Sequence, residues 1–291
     1  MRIRLNQIIP CAGLLGVFFL ASCSSGASSI KMKGSDTEVN LAVNLAENFT
    51  KVDPTFSIAI SGGGSGLGIT SLMNGQADIA NSSRPLSDEE VKQFKDKDIE
   101  IKTVVFAEDA TAFIVHKDLP LEEIDVETLG KILSGEIRDW ESITGKAMPI
   151  NIYGRQSSSG THSFVKKKLK IEFSNTAKEM TGNAQIIEGV KADKTGVGYV
   201  GAGYVAHDPS ASQNVKILRI APKKGEVAIS PMDQSAINAG TYFFQRPLYQ
   251  FILAESWEKV RKFINYERSP AGRQQIEDHG YYILENQTNE I

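Results

Sequence analysis

The chain has 291 residues, 41% hydrophobic and 23% charged, enough for two domains of ~100–200 residues each with a sizeable core. Its 32 basic and 35 acidic residues are interspersed and leave a formal charge of −3, which excludes the basic field that nucleic-acid binding requires. The longest basic run, Lys166-Lys167-Lys168, reads as a solvated helix face.

At the N-terminus, Arg2 and Arg4 precede an apolar run from Ile8 to Leu20 that is broken by Pro10 and too short to span a bilayer, so residues 1–22 read as an export signal. The signal ends in "LASC", Leu20 to Cys23, which resembles a bacterial lipobox and implies cleavage before Cys23 and acylation of its thiol. Cys11 leaves with the signal. No cysteine then remains for a disulfide, a metal cluster or a catalytic thiol. Residues 23–29, with "SSGASS" from Ser24, read as a flexible tether that holds a globular body off a membrane.

Beyond the tether, short β-rich runs alternate with segments of helical period, the pattern of an α/β protein with mostly parallel sheets. Ile30 to Lys33 is a predicted strand, and Val39 to Thr50 a helix with Leu41, Leu45 and Phe49 on one face. Phe56 to Ser61 is a second strand, Leu67 to Asn74 a short helix, and Ala77 to Ala80 a third strand. Ser87 opens the capping-box spacing Ser-x-x-Glu of a helix towards Lys95. Ile101 to Phe106 and Thr111 to Val115 read as two strands separated by an acidic corner, Glu108-Asp109, where the chain would pass into a second domain. Further helices are predicted near Val126 to Leu133, Thr161 to Leu169, Trp257 to Asn265 and Ala271 to Asp278. Strands are predicted at Ile150 to Tyr153 and Val215 to Ile220.

Three strands run into turns rich in hydroxyls and glycine: "KGSDT" (Lys33 to Thr37), "SGGGSGLG" (Ser61 to Gly68) and "YGRQSSSGTHSF" (Tyr153 to Phe164). A fourth ends in "NSSRP" (Asn81 to Pro85). In open α/β sheets, ligands bind beyond the carboxyl ends of strands, where helix N-termini present unpaired N–H groups and partial positive charge. Glycine lets the backbone approach closely, serine and threonine donate, and arginine supplies a planar charged fork. Together these turns suit a small oxyanion, although each serine would also serve as an N-cap and each glycine as a turn residue.

Enzyme motifs fail on the same stretches. Around Ser65 the nucleophile-elbow glycine is replaced by Leu67, and Ile69 stands where a P-loop needs lysine. "GVGYVG", Gly196 to Gly201, fits a dinucleotide fingerprint but reads better as a glycine-bounded strand or turn. His116, His162, His207 and His279 are too scattered for a metal site, and His162 reads as a surface or packing residue.

The chain resembles the PstS-like phosphate-binding proteins of bacterial ABC importers, within the type II periplasmic binding proteins. The resemblance is carried, in order, by "GSDT", "GGGSGLGI", "ADIANSSRPLSDEE", "GKILSGEIRDWESITG", "GRQSSSGTHSF", "GVGYVGAGYV" and "SPAGRQQIEDHGYYIL". It implies two α/β lobes with mixed, mostly parallel sheets and a ligand cleft between them. Residues 30–109 and 249–291 would form lobe one and 110–248 lobe two, with hinge crossings near 109–112 and 245–248.

By the same resemblance, phosphate would be held by Ser65 from lobe one and by Arg155, Ser159, Gly160 and Thr161 from lobe two; Ser35, Asp36, Thr37, Ser83 and Arg84, in the polar turns of lobe one, are expected to complete the site. The family pattern has an aspartate where this chain has Ser83, followed by Arg84, and commonly a threonine where it has Asp36. An ionised carboxylate only accepts hydrogen bonds, so it favours a protonated phosphate over sulfate. Asp36 is expected to take over that role, with Ser83 as a neutral donor and Arg84 partly balancing the charge. Alternatively Asp36 caps the helix beginning near Thr37, and Arg84 pairs with Asp36 or faces solvent.

The implied protein is an exported, lipid-anchored monomer, periplasmic or on the cell surface. It captures inorganic phosphate for a membrane permease and uses no metal, cofactor, nucleic acid or catalysis. The alternatives are a receptor for sulfate, molybdate or tungstate, a secreted phosphate-ester hydrolase, and a surface lipoprotein that contacts a host or partner.

Overall fold

The computed structural model describes residues 28–207 and 211–283; the export signal, Cys23 and the tether as far as Ala27 lie outside the described residues. In chain order the elements are β1 (Ser28–Gly34), α1 (Val39–Val52), β2 (Phe56–Ser61), α2 (Ser65–Met73), β3 (Ile79–Ser82), α3 (Asp88–Asp96) and the long β4 (Ile101–His116). Then come β5 (Glu123–Asp125), α4 (Val126–Ser134), α5 (Glu141–Thr144), β6 (Asn151–Arg155), α6 (Gly160–Leu169), β7 (Lys178–Met180), α7 (Asn183–Ala192) and β8 (Gly196–Gly201). The chain continues through α8 (Ala202–Ala206), α9 (Ala211–Asn214), β9 (Val215–Ile217), β10 (Arg219–Ala221) and α10 (Gln234–Asn238) into β11 (Gln245–Leu253). It closes with α11 (Trp257–Glu267) and α12 (Pro270–Asp278).

The architecture is the α/β fold expected. One sheet runs in the order β2-β1-β3-β11-β4-β8-β6-β7, with β9 also against β4, and β10 pairs separately with β5. Its flanks, β2-β1-β3 and β8-β6-β7, are parallel, because helices return the chain to the same edge between strands. β11 and β4 run antiparallel through the middle. β4 pairs with β11 as far as Ala110 and with β8 from Thr111 onward. This one strand therefore links the two flanks, and its change of partner lies beside Asp109.

Packing follows the same division. One core cluster draws on residues between Ala110 and Phe244, together with Tyr282; another draws on Ile30 to Ala107 and Leu248 to Tyr281. In the second, the predicted face of α1 is buried as expected, with Leu41, Leu45 and Phe49 at 1%, 0% and 3% exposure. The Phe49 ring meets Phe56, Phe263 and Tyr266 with centroids 5.2–5.5 Å apart. Helix ends obey local chemistry. Ser87 and Glu90 form the capping box of α3, Asp125 caps α4, and Ser269 with Pro270 starts α12.

Several expectations need correction. Strand β1 begins at Ser28, so the last two tether residues are strand. The acidic corner at Glu108-Asp109 does not break the chain: β4 is continuous for 16 residues. Val215 to Ile220 is divided between β9 and β10, and α2 begins two residues early, at Ser65. "GVGYVG" is strand β8, as its glycine-bounded reading implied.

Glu267 of α11 is fully buried with only the Gln250 amide donating to it, at 2.9 Å, and burial pushes its pKa up to about 8. The folded protein therefore binds a proton that the unfolded chain releases near pH 4.3. This contribution to stability is complete below that pH and is lost as pH rises through about 8. The Glu267→Gln variant should lose this slope and exceed the native chain at pH 8.5 by on the order of a few kcal/mol in urea unfolding. Parallel pH profiles for the two proteins would refute the assignment.

Candidate functional site

The carboxyl ends of β1, β2, β3 and β6 converge, and the helices that follow begin there. Gly64, in the left-handed region at φ +97°, turns the chain into α2, and a Cβ at this position would lie 2.8 Å from the Ser158 carbonyl. Only glycine tolerates both conditions. The Gly66 N–H donates to that same carbonyl at 2.9 Å, so the start of α2 touches the turn before α6 directly.

Hydroxyl groups fill the meeting point. Ser35, Thr37, Ser65, Ser83, Ser159 and Thr161 are each at most 3% exposed. Ser35 Oγ lies 2.7 Å from Ser83 Oγ, Thr37 Oγ1 lies 3.1 Å from Thr161 Oγ1, and Ser65 Oγ accepts from the Ser83 N–H at 3.1 Å. Ser159 caps α6 by accepting from the His162 N–H. A Cβ on Gly160 would come within 2.3 Å of Ser65 Oγ and 3.0 Å of Ser83 Oγ, so the absence of a side chain there sets how near the two sides come.

Two buried guanidinium groups enter this cluster, each with its own carboxylate. Arg155, at the end of β6, donates to Asp36 Oδ2 at 2.5 Å, while Asp36 Oδ1 accepts from the Gly63 N–H at 2.7 Å. Burial draws the Arg155 pKa below its ordinary value, and Asp36 opposes this. Asn183 supports the pair by donating to the Asp36 carbonyl at 3.3 Å. Arg246, from β11, donates to Asp109 Oδ2 at 2.7 and 3.0 Å and to the hydroxyls of Thr37 and Thr161 at 3.2 and 3.1 Å. Burial pushes the Asp109 carboxyl up against the opposing pull of Arg246.

The structure thus brings together Ser35, Asp36, Thr37, Ser65, Ser83, Arg155, Ser159, Gly160 and Thr161. Arg84 does not join them. It sits on the rim with both terminal nitrogens on Glu90, at 2.7 and 2.8 Å, neither pairing with Asp36 nor standing free in solvent. Asp36 does not cap α1, whose N-cap position is Glu38 and carries no side-chain cap. Sequence reasoning missed Arg246, Asp109, Asn183 and Glu38. The one available signal was an arginine inside the otherwise strand-like run "RPLYQFIL".

With each guanidinium matched by a carboxylate, what the cluster can offer an anion is chiefly dipoles: hydroxyl groups and the N-termini of α1, α2 and α6. Such a shell suits a compact tetrahedral oxyanion. His162 is not part of it; its ring packs on Phe173 at a centroid distance of 4.6 Å, and burial lowers its pKa. Among the described residues no group of His, Cys, Asp or Glu suits a metal ion, and no helix is long and apolar enough to cross a membrane.

This fold, with donors gathered at strand ends between two cores, is that of a type II periplasmic binding protein. The chain belongs to the PBP superfamily, whose domain model matches residues 21–270. Within it, the chain is similar to the phosphate-binding protein PstS of Pseudomonas aeruginosa, 29% identical over 90% of this chain and 85% of that protein. It is also similar to PstS of Staphylococcus haemolyticus, 26% identical over 97% and 93%. Among solved structures, an ABC-type phosphate transport receptor from Vibrio cholerae is 25% identical with a TM-score of 0.68, over 87% of this chain and 99% of that one. A putative phosphate ABC transporter substrate-binding protein with bound phosphate, from Clostridium perfringens, shares the fold with a TM-score of 0.78 at 23% identity, over 88% and 100%.

Proposed function

We propose that this chain captures inorganic phosphate outside the cytoplasm and delivers it to the membrane permease of an ABC importer, without catalysis. The observation that carries this reading is the buried cluster of hydroxyls around Arg155 and Arg246, assembled from both sides of β4. Ser35, Asp36, Thr37, Ser65, Ser83, Arg155, Ser159, Gly160 and Thr161 form the binding shell, with Arg246 as a second cation beneath it. Residues 30–109 with 249–291 act as one lobe and 110–248 as the other. Closure pivots near 109–112 and 245–248, where the two core clusters part. The same reading includes export as a monomer anchored through acylated Cys23.

Isothermal titration of a soluble form starting after Cys23, refolded to strip carried ligand, tests this reading with phosphate, sulfate, molybdate and tungstate. Phosphate is expected to bind at about micromolar Kd or tighter and ahead of the other three. A preference for sulfate, molybdate or tungstate, or no phosphate heat at all, refutes it. Gly160→Ala, measured alongside, should weaken phosphate binding at least about tenfold, because its methyl group collides with the Ser65 and Ser83 hydroxyls.

A further inference from the structure

The basic run of α6 has no part in the hydroxyl cluster. Lys166 pairs with Glu172 at 2.6 Å, and the Lys168 ammonium lies 4.8 Å from the centroid of the Phe243 ring. Lys167 and, just past the helix end, Lys170 are exposed, and among the described residues neither makes an ion pair or a side-chain hydrogen bond. Lysines in a last turn complement the helix macrodipole, which explains their place on α6 but not what lies beside them.

Beside them is a cavity of about 660 Å³. One wall is α6, where Phe164 and Lys168, and Ser163 and Lys167, share a face four residues apart. The others are the turn after β3, with Pro85 and Leu86, and β11, whose half-buried Pro247 and Tyr249 alternate with buried Arg246 and Leu248. The Tyr249 ring is held in place by stacking on Phe251, with centroids 5.7 Å apart and planes at 9°. Ser83 and Arg246 belong both to this wall and to the hydroxyl cluster, and the Phe164 ring carries the Arg246 guanidinium at 5.2 Å. Among the described residues no aspartate or glutamate lines the cavity, and its Arg84 is already matched by Glu90.

This volume exceeds what a tetrahedral oxyanion fills and lies within the ~300–1,000 Å³ of sites for small organic ligands. Aromatic and aliphatic walls favour a ring system through burial, while lysines with no acid of their own leave a positive field at the rim. We propose that this cavity is a second ligand site. It takes a small amphipathic anion, with an aromatic body seated among Phe164, Pro247 and Tyr249 and its charged group on Lys167 and Lys170. The site stands whether or not the hydroxyl cluster holds phosphate.

The probe for it is 8-anilinonaphthalene-1-sulfonate, a fused aromatic monoanion whose fluorescence rises when it leaves water. It should bind the protein at a single saturable site with Kd on the order of tens of micromolar. N-phenyl-1-naphthylamine, the same ring system without the sulfonate, should bind more weakly by at least about threefold, since it forgoes the lysines. Lys167→Glu/Lys170→Glu should weaken the sulfonate at least about tenfold, and Pro85→Glu, which puts a like charge on another wall, at least about threefold. All three positions are exposed, so the core is spared. Saturating phosphate should leave the probe bound, and the lysine variant should bind phosphate within about twofold of the native protein. Absence of saturable binding, equal affinity for the neutral amine, unchanged affinity in either variant, or displacement by phosphate overturns the site. Loss of phosphate affinity in the lysine variant also overturns it, because those lysines would then serve the hydroxyl cluster.

Discussion

Arg155→Ala is expected to weaken phosphate binding by about 2–5 kcal/mol, at least some 30-fold in Kd. The side chain is 1% exposed and donates to Asp36, so under the proposed function its removal takes away a cation and also leaves the Asp36 carboxylate without its partner. Lysine would not substitute, since its point charge cannot hold Asp36 and a ligand oxygen in one plane. Asp36→Asn alone should cost less, because the Gly63 N–H still has an oxygen to donate to. The double variant Arg155→Ala/Asp36→Asn should then be tighter than additivity predicts, because the carboxylate exposed by the first change is gone. Calorimetry on the four proteins decides this, and unchanged affinity in Arg155→Ala would falsify the site.

Arg246→Met is expected to lower folding stability by about 3–5 kcal/mol, a drop on the order of 10 °C in Tm. Its guanidinium is the partner of Asp109, whose side chain is wholly buried, and it also satisfies the hydroxyls of Thr37 and Thr161. Without it the Asp109 pKa, already raised by burial, rises further. Between the unfolded value near 3.9 and that raised folded value, the folded variant retains a proton that the unfolded chain releases. The loss should therefore be smallest at acid pH and grow as pH rises. Adding Asp109→Asn should restore part of the Tm at pH 8. Equal losses at pH 5 and pH 8 would show that packing against Phe164, not charge, is what Arg246 supplies.

The three polar turns were legible because strand, glycine turn and helix N-terminus are local features, each set by backbone conformation and capping within a few residues. The face of α1, the capping box of α3 and the start of α12 were legible for the same reason. The fate of the two other arginines was not. Arg84 stands beside Ser83 in sequence yet pairs with Glu90, one turn into α3. Arg246, which reaches the cluster, is 209 residues from Thr37.

The alternation of strand and helix and the hydroxyl- and glycine-rich turns could be read directly from the chain, since the hydroxyls, glycines and Arg155 sit in contiguous motifs. That β4 runs unbroken through Glu108 and Asp109 follows from long-range pairing instead. A buried carboxylate in a strand is tolerable only with a counter-charge, and Arg246, 137 residues later, supplies it. The same is true of Glu38, directly after "GSDT", which is fully buried although nothing in its local sequence marks it so. Burial and charge pairing depend on which distant strands become neighbours, and no local spacing encodes that.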